Sequence, residues 1–115
     1  MEVSTYVHLF HILFVGSLFL YVGIYRTSIP TIMYPILLGL GFVVIFYHIY
    51  KAYNYMQLGK GYWVNLIHIF LVGPLLVYIG YNREKTPRLY FELLLMLAFA
   101  AIGYHGYYLF YTFGH

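Results

Sequence analysis

The sequence predicts an all-α membrane protein with four transmembrane helices that form a bundle from two parallel tandem helical-hairpin repeats. Composition is the first observation: 63% of the 115 residues are hydrophobic and 8% are charged, against roughly 25% charged residues in soluble domains. The second is a set of four long apolar runs, and the third is a gapless internal repeat. No polar stretch is long enough for a soluble domain, so residues 1–115 are expected to form a single integral membrane domain.

Four apolar stretches, at about 5–25, 31–53, 62–82 and 89–112, each approach the roughly 20 residues that a helix needs to cross a bilayer. They show no alternation of period two, which disfavours strands. Polar turns at 26–30 and 82–88 separate the helices of each hairpin, and a glycine-punctuated linker at 54–61 joins the hairpins. In the first turn, Ser28 is a candidate N-cap and Pro30 suits the start of the second helix.

The repeat relates positions 57 residues apart. Residues 7–26 and 64–83 align without a gap and share ten identities in twenty, and the same shift pairs His48 with His105. Repeat 1 covers about 7–53 and repeat 2 about 64–110. Each repeat holds an even number of helices, so both must enter the membrane from the same side, which makes them parallel repeats.

Charge indicates orientation and partners. The two hairpin loops carry four basic residues, namely Arg26, Arg83, Lys85 and Arg88, whereas the opposite side carries Lys51 and Lys60. The positive-inside rule therefore predicts cytoplasmic hairpin loops, with both termini on the other side. The basic residues form no cluster that could follow phosphates, which argues against nucleic acid. The expected partners are the lipid bilayer and neighbouring membrane proteins or further copies of the chain.

Each predicted helix carries one histidine of the repeat, and these four are His11, His48, His68 and His105. At 1.5 Å per residue, His11 and His48 lie about 22–26 Å from the first hairpin loop and are expected to face each other. The repeat places His68 and His105 at the same level. Polar side chains within a span are expensive and are candidates for a functional site.

Two interpretations of this histidine layer stay open. Imidazole suits transition metals, and two opposed histidines can bind a b-type haem axially, with Lys51 or Lys60 near its propionates. In outline this resembles the four-helix b-type cytochromes, although no family signature accompanies it. Alternatively, the histidines bind no cofactor and hydrogen-bond with nearby tyrosines to join the helices. His8 and His11 also form an H-x-x-H pair on one helix face.

Small residues and proline give further expectations. Gly16 and Gly23, and their counterparts Gly73 and Gly80, are spaced by seven residues, which predicts a helix-contact face directed away from the histidines. Gly41 and Ala98 lie on the same stripe as His48 and His105, either beside a flat cofactor or in a close helix contact. Pro74 is expected to kink the third helix, whereas the first helix carries Ser17 at that position.

The chain is expected not to be an enzyme on its own, because Asp is absent and no nucleophile or phosphate-loop motif occurs. One hypothesis is a haem- or metal-binding electron-transfer bundle. An alternative is a structural membrane subunit of a large assembly, such as a respiratory complex or a virion membrane. A third is a small transporter or channel with a histidine proton relay.

Overall fold

The computed structural model describes residues 3–114, and these are helical apart from short connections. Four helices are long and apolar enough to cross a membrane, which confirms the predicted number of apolar helices. They are the first helix (Thr5–Ser28), the second (Met33–Gln57), the third (Trp63–Lys85) and the fourth (Arg88–Tyr111). Their 23–25 residues correspond to about 35–38 Å at 1.5 Å per residue.

The connections differ in detail from the sequence prediction. The second helix begins at Met33, whose N–H donates to the Pro30 carbonyl at 2.9 Å. Ser28 lies in the 3-10 turn Arg26–Ser28 rather than at an N-cap, so that prediction is wrong. The linker is also shorter than expected, because the second helix continues to Gln57. Gly59 then turns the chain with a φ of 71°, a conformation that glycine adopts without a steric penalty.

The first and third helices each contain a π-helical stretch, at His11–Gly16 and His68–Val72. A π turn holds one more residue than an α turn, and such stretches are rare. Pro74 follows the second stretch directly, as the second residue of the α-helix Gly73–Asn82. Ser17 follows the first stretch in the same way, so a π-helical stretch forms there without proline, and the kink expected at Pro74 stays a prediction.

The chain divides into two compact units. Unit 1 contains the first helix up to Arg26 and the fourth helix from Phe91, and unit 2 contains residues Thr27–Tyr90, with the second and third helices. In unit 2, Gly80 lies against Leu38 and Gly73 against Ile45, so the two helices run antiparallel. In unit 1 the corresponding contacts join Gly23 to Leu95 and Gly16 to Ile102. Each contact in one unit joins positions that lie 57 residues from its counterpart in the other.

Glycine allows the helix backbones to approach closely. A Cβ atom added to Gly80 would lie 2.6 Å from the Leu38 nitrogen and 2.7 Å from the Tyr34 carbonyl oxygen. One added to Gly41 would lie 2.8 Å from the Val77 nitrogen and 2.9 Å from the Gly73 carbonyl oxygen. The predicted helix contact at the glycines is confirmed. Gly41, the small residue on the same stripe as His48, also lies in this contact. Small residues are the usual means by which apolar helices pack closely.

The glycine face is predicted to point away from the histidines, and this prediction is wrong. Gly16 contacts Ile102 and His11 contacts His105, so glycine and histidine face the same neighbouring helix. In a regular α-helix, five residues separate two side chains by about 140° around the axis. The π-helical stretch between His11 and Gly16 adds a residue to the turn and thereby brings both to one face.

Two arginines end the first and third helices in a strained conformation. Arg26 and Arg83 both have φ of 53°, with ψ of −123° and −129°. Each backbone N–H nevertheless caps its helix, by donating to Val22 and Ile79 respectively. Non-glycine residues in sparsely populated backbone regions cost about 1–3 kcal/mol each. Both positions retain arginine, although glycine would adopt this conformation more easily.

The helix contact in unit 2 can be tested with paired glycine substitutions. We expect Gly80→Ala to lower the free energy of unfolding by roughly 1–3 kcal/mol, because its Cβ meets backbone that cannot move aside. Gly39→Ala is the control, since a Cβ there meets nothing within 4 Å and alanine favours the helix by up to about 1 kcal/mol. Unfolding in detergent, followed by the fluorescence of the single tryptophan Trp63, measures both. Equal destabilisation by the two substitutions would contradict the close contact.

Candidate functional site

Each unit contains one pair of stacked histidine rings. His11 stacks on His105 with ring centroids 4.1 Å apart and planes inclined by 20°. His48 stacks on His68 with centroids 4.0 Å apart and planes inclined by 16°. The sequence predicts that His11 faces His48, but the ring that stacks on each comes from the other repeat. All four predicted site residues therefore lie at helix contacts, as two separate pairs.

The local backbone orients one ring of each pair. Nδ1 of His11 lies 2.8 Å from the Val7 carbonyl oxygen, and Nδ1 of His68 lies 2.8 Å from that of Val64. A carbonyl oxygen only accepts hydrogen bonds, so both Nδ1 atoms carry the proton and donate it. In the neutral ring, Nε2 then carries the lone pair. Both histidines are the first residue of a π-helical stretch. At each of them the imidazole donates a hydrogen bond to the backbone carbonyl four residues earlier.

Unit 1 contains a third imidazole. Nδ1 of His8 lies 2.8 Å from Nδ1 of His105, and the His105 side chain is buried, with 8% of its surface exposed. One nitrogen must donate and the other accept, so this bond holds one shared proton. When the pair carries one added proton, moving the shared proton along this bond passes the positive charge from one ring to the other, whereas between two neutral rings the same move would leave an imidazolate. The phenol ring of Tyr108 lies parallel to the His8 ring, within 13°, at a centroid distance of 6.0 Å.

Unit 2 has an amide in place of that imidazole. Nδ1 of His48 donates to Oδ1 of Asn65 at 2.8 Å, and Asn65 is 5% exposed. An amide oxygen accepts but does not take up a proton near neutral pH, so this bond fixes the His48 tautomer. Asn65 is a site residue that the sequence pattern did not single out. Two signals could have found it: Asn65 aligns with His8, and it interrupts an otherwise apolar run together with His68.

The stacked geometry bears on the haem and metal hypothesis. Ring nitrogens lie in the ring plane, so two rings in face-to-face contact direct them side by side. His11 and His105 therefore do not fit on opposite sides of one haem iron, and the same holds for His48 and His68. Among residues 3–114, no group of three or more His, Cys, Asp or Glu side chains is placed to hold a metal ion.

Electrostatics limits how many protons a stacked pair can hold. Two unit charges 4 Å apart repel by about 4 kcal/mol at an effective dielectric constant near 20. The ring separations of 4.0 and 4.1 Å match this case. A first proton on either pair meets no such repulsion, whereas a second proton opposes the stacking. A doubly charged stack is therefore disfavoured within this mainly apolar helix contact.

Tyrosine rings and lysine ammonium groups border the histidine pair of unit 2. The Tyr47 ring meets the His48 ring edge-on, with centroids 5.2 Å apart. Nζ of Lys51 lies 5.1 Å from the centre of the Tyr55 ring, and Nζ of Lys60 lies 5.8 Å from the same ring. The two lysines that the haem hypothesis assigned to propionates thus converge on one tyrosine.

Comparison with known proteins gives no assignment: no protein-family model, no curated protein and no solved structure matches the chain. Function must therefore be inferred from the geometry of the histidine pairs themselves.

The hydrogen bond that fixes His48 can be tested by removing its acceptor. We expect Asn65→Leu to lower the free energy of unfolding by about 1–3 kcal/mol, because a buried donor loses this partner. Asn82→Leu is the control, since Asn82 donates to the Tyr78 carbonyl oxygen at an exposed position and should change stability by less than about 0.5 kcal/mol. Thermal unfolding of both variants in one detergent makes the comparison. Similar losses in both would show that the buried bond contributes little.

Proposed function

We propose that the chain is an integral membrane protein, built from two tandem helical-hairpin repeats, whose helix contacts respond to pH through the histidine pairs. One observation carries this proposal: His8, His105 and His11 form a connected group in unit 1, with a shared proton on one side of the buried ring and a stacked imidazole on the other. Histidine changes charge between about pH 5 and 8. A group of three such rings, with His105 buried between the other two, would therefore make the contact sensitive to proton concentration.

Composition and exposure support membrane insertion. The four helices have mean hydropathies of 1.6–2.0, yet only 17–39% of each apolar window is buried within the protein. Large apolar side chains such as Phe70 and Phe110 remain about three-quarters exposed, which favours a surrounding bilayer over water. The basic loops would face the cytoplasm. The outward aromatic rings would contact lipid, neighbouring membrane proteins or further copies of the chain.

The position of the histidines favours sensing over transport. His11 lies 15 residues before Arg26, which corresponds to about 22 Å of helix, and residues 12–25 contain no histidine or charged side chain. Val22 and Leu94, on the two helices of unit 1, are completely buried there. This stretch of the first helix thus offers no second imidazole or carboxylate to accept the proton; its titratable side chains are the phenols of Tyr21 and Tyr25, and Glu92 lies near the loop end of the fourth helix. The proton would enter and leave from the same side.

Protonation would weaken the contact between the helices. In unit 1 the bond between His8 and His105 can share one added proton. A second added proton would place charges on both stacked rings, and repulsion of about 4 kcal/mol would act across the stack. We expect the first and fourth helices to separate at their histidine-bearing ends. Because protonation opposes the closed contact, that contact is stable at high pH and weakens as pH falls.

The pH response can be measured as a distance within unit 1. The chain contains no cysteine, so Leu13→Cys and Phe110→Cys allow selective spin labelling at two exposed positions. We expect the label separation in lipid bilayers to shift to longer values between pH 8 and pH 5. The second charge would reduce the population of the closed contact by a factor of several hundred, which corresponds to the repulsion of about 4 kcal/mol. Pulsed electron paramagnetic resonance reports the distance.

Two ring-preserving substitutions serve as controls for this measurement. His11→Phe keeps an aromatic ring against His105 but removes the second charge, so the acid shift should disappear. His68→Phe makes the same change at the corresponding position of unit 2 and should leave the unit 1 response intact. An unchanged distance in the wild type, or an equal shift in His11→Phe, would exclude the proposed response.

A second candidate, haem or metal binding in electron transfer, is favoured by one observation. His11 and His68 each donate Nδ1–H to a backbone carbonyl, the arrangement typical of metal-ligating histidines that coordinate through Nε2. One ring of each pair would hold the group through Nε2, and the bound group would supply a redox-active metal. We expect an absorption spectrum of protein purified from membranes to show a reducible Soret band if haem binds, and to lose it in His11→Phe or His68→Phe. A colourless, metal-free preparation would exclude this candidate.

A further inference from the structure

Unit 2 has an apolar groove on its outer surface, between the second and third helices. Its volume is about 380 Å³, and its lining includes Phe42, Pro74, Tyr78 and Asn82. The groove follows from the close helix contact: Ile45 and Val77, which also line it, are the side chains that lie against Gly73 and Gly41. It is therefore a fixed feature of the fold, and its walls are almost wholly apolar.

The end of the groove leads into a basic loop. Asn82 lies at that end and donates to the Tyr78 carbonyl oxygen at 2.9 Å, which holds its side chain along the helix. Arg83 follows directly and is exposed. Residues 83–88 carry Arg83, Lys85 and Arg88 against one acid, Glu84. The apolar groove thus ends beside a net positive charge. An anionic phospholipid has the complementary pattern, because its apolar acyl chain ends at a negatively charged head group.

The backbone at Arg83 supplies an independent reason to expect a role for its side chain. Its φ of 53° lies in the region where glycine is favoured. Arginine occupies this strained position although glycine would close the turn with less strain. A planar guanidinium donates paired hydrogen bonds to phosphate oxygens, which neither glycine nor asparagine can do. Binding of an anion by this side chain would offset the strain.

We propose that the groove of unit 2 binds one acyl chain of an anionic phospholipid, whose phosphate is held by Arg83. This inference rests on the proposed insertion of the chain in a membrane. The acyl chain would lie along Phe42, Pro74 and Tyr78, and the phosphate would reach the loop that begins at Arg83. An uncharged or zwitterionic lipid would fill the groove but would gain less from the net charge of the loop.

The test measures retained lipid in nanodiscs and by native mass spectrometry. Protein reconstituted in phosphatidylcholine nanodiscs is exposed to phosphatidylglycerol with the same acyl chains. We expect the wild type to retain one phosphatidylglycerol molecule, and Arg83→Gly to weaken its binding about tenfold, the size of one charge-assisted hydrogen bond. Because glycine relieves the backbone strain, the thermal stability of Arg83→Gly should not fall. That outcome separates loss of lipid from loss of folding.

Two further variants separate the site from a general charge effect. Arg26→Gly removes the same charge and relieves the same φ of 53° in the other repeat, and it should leave the bound lipid in place. Phe42→Trp narrows the groove and should weaken both lipids. Equal retention of phosphatidylglycerol and phosphatidylcholine by the wild type, or equal loss in Arg83→Gly and Arg26→Gly, would overturn the inference. Failure of the protein to enter nanodiscs at all would instead contradict the proposed membrane function.

Discussion

The close approach of helix backbones at glycine is the constraint on which the histidine sites depend. In unit 2 the third helix meets the second through Gly73 and Gly80, and in unit 1 the first helix meets the fourth through Gly16 and Gly23. The stacked imidazoles, at 4.0 and 4.1 Å, lie in the same helix contacts, and His11 and His68 each stand five residues before a contact glycine. Close backbones at glycine therefore bring the helices near enough for these rings to meet.

The π-helical stretches complete this arrangement by setting the rotation of the rings. Without the added residue, His11 and Gly16 would point about 140° apart, and the helix could use one of them at the contact but not both. The stretches at His11–Gly16 and His68–Val72 turn both residues toward one neighbour. π-Helical turns are uncommon and occur frequently at functional sites. Their presence in both units, one without proline, links the distortion to the histidine that begins it.

The sequence was sufficient for features that depend on local composition and spacing, and insufficient for those that depend on partners in space. Long apolar runs predict four helices directly, and the spacing of Gly73 and Gly80 predicts a contact face. Spacing alone does not show which helix meets that face. The sequence therefore predicts that His11 faces His48, whereas His11 stacks on His105. Asn65 was missed because one amide in an apolar run gains meaning only when His48 is known to lie beside it. The strained backbone at Arg83 cannot be predicted from composition.

The difference between the two units is confined to a few side chains on a shared backbone pattern. The glycine contacts, the π-helical stretches and the stacked rings occur in both, so none of them can make one unit behave differently from the other. Unit 2 has Asn65 at the position that His8 occupies in unit 1. The shared proton between two imidazoles in unit 1 is therefore replaced in unit 2 by a hydrogen bond to an amide oxygen, which only accepts. In unit 1 a singly charged pair can carry its added proton on either ring, whereas the Asn65 amide oxygen of unit 2 only accepts. The proposed response to pH therefore depends on unit 1, where the imidazole of His8 stands in place of the amide.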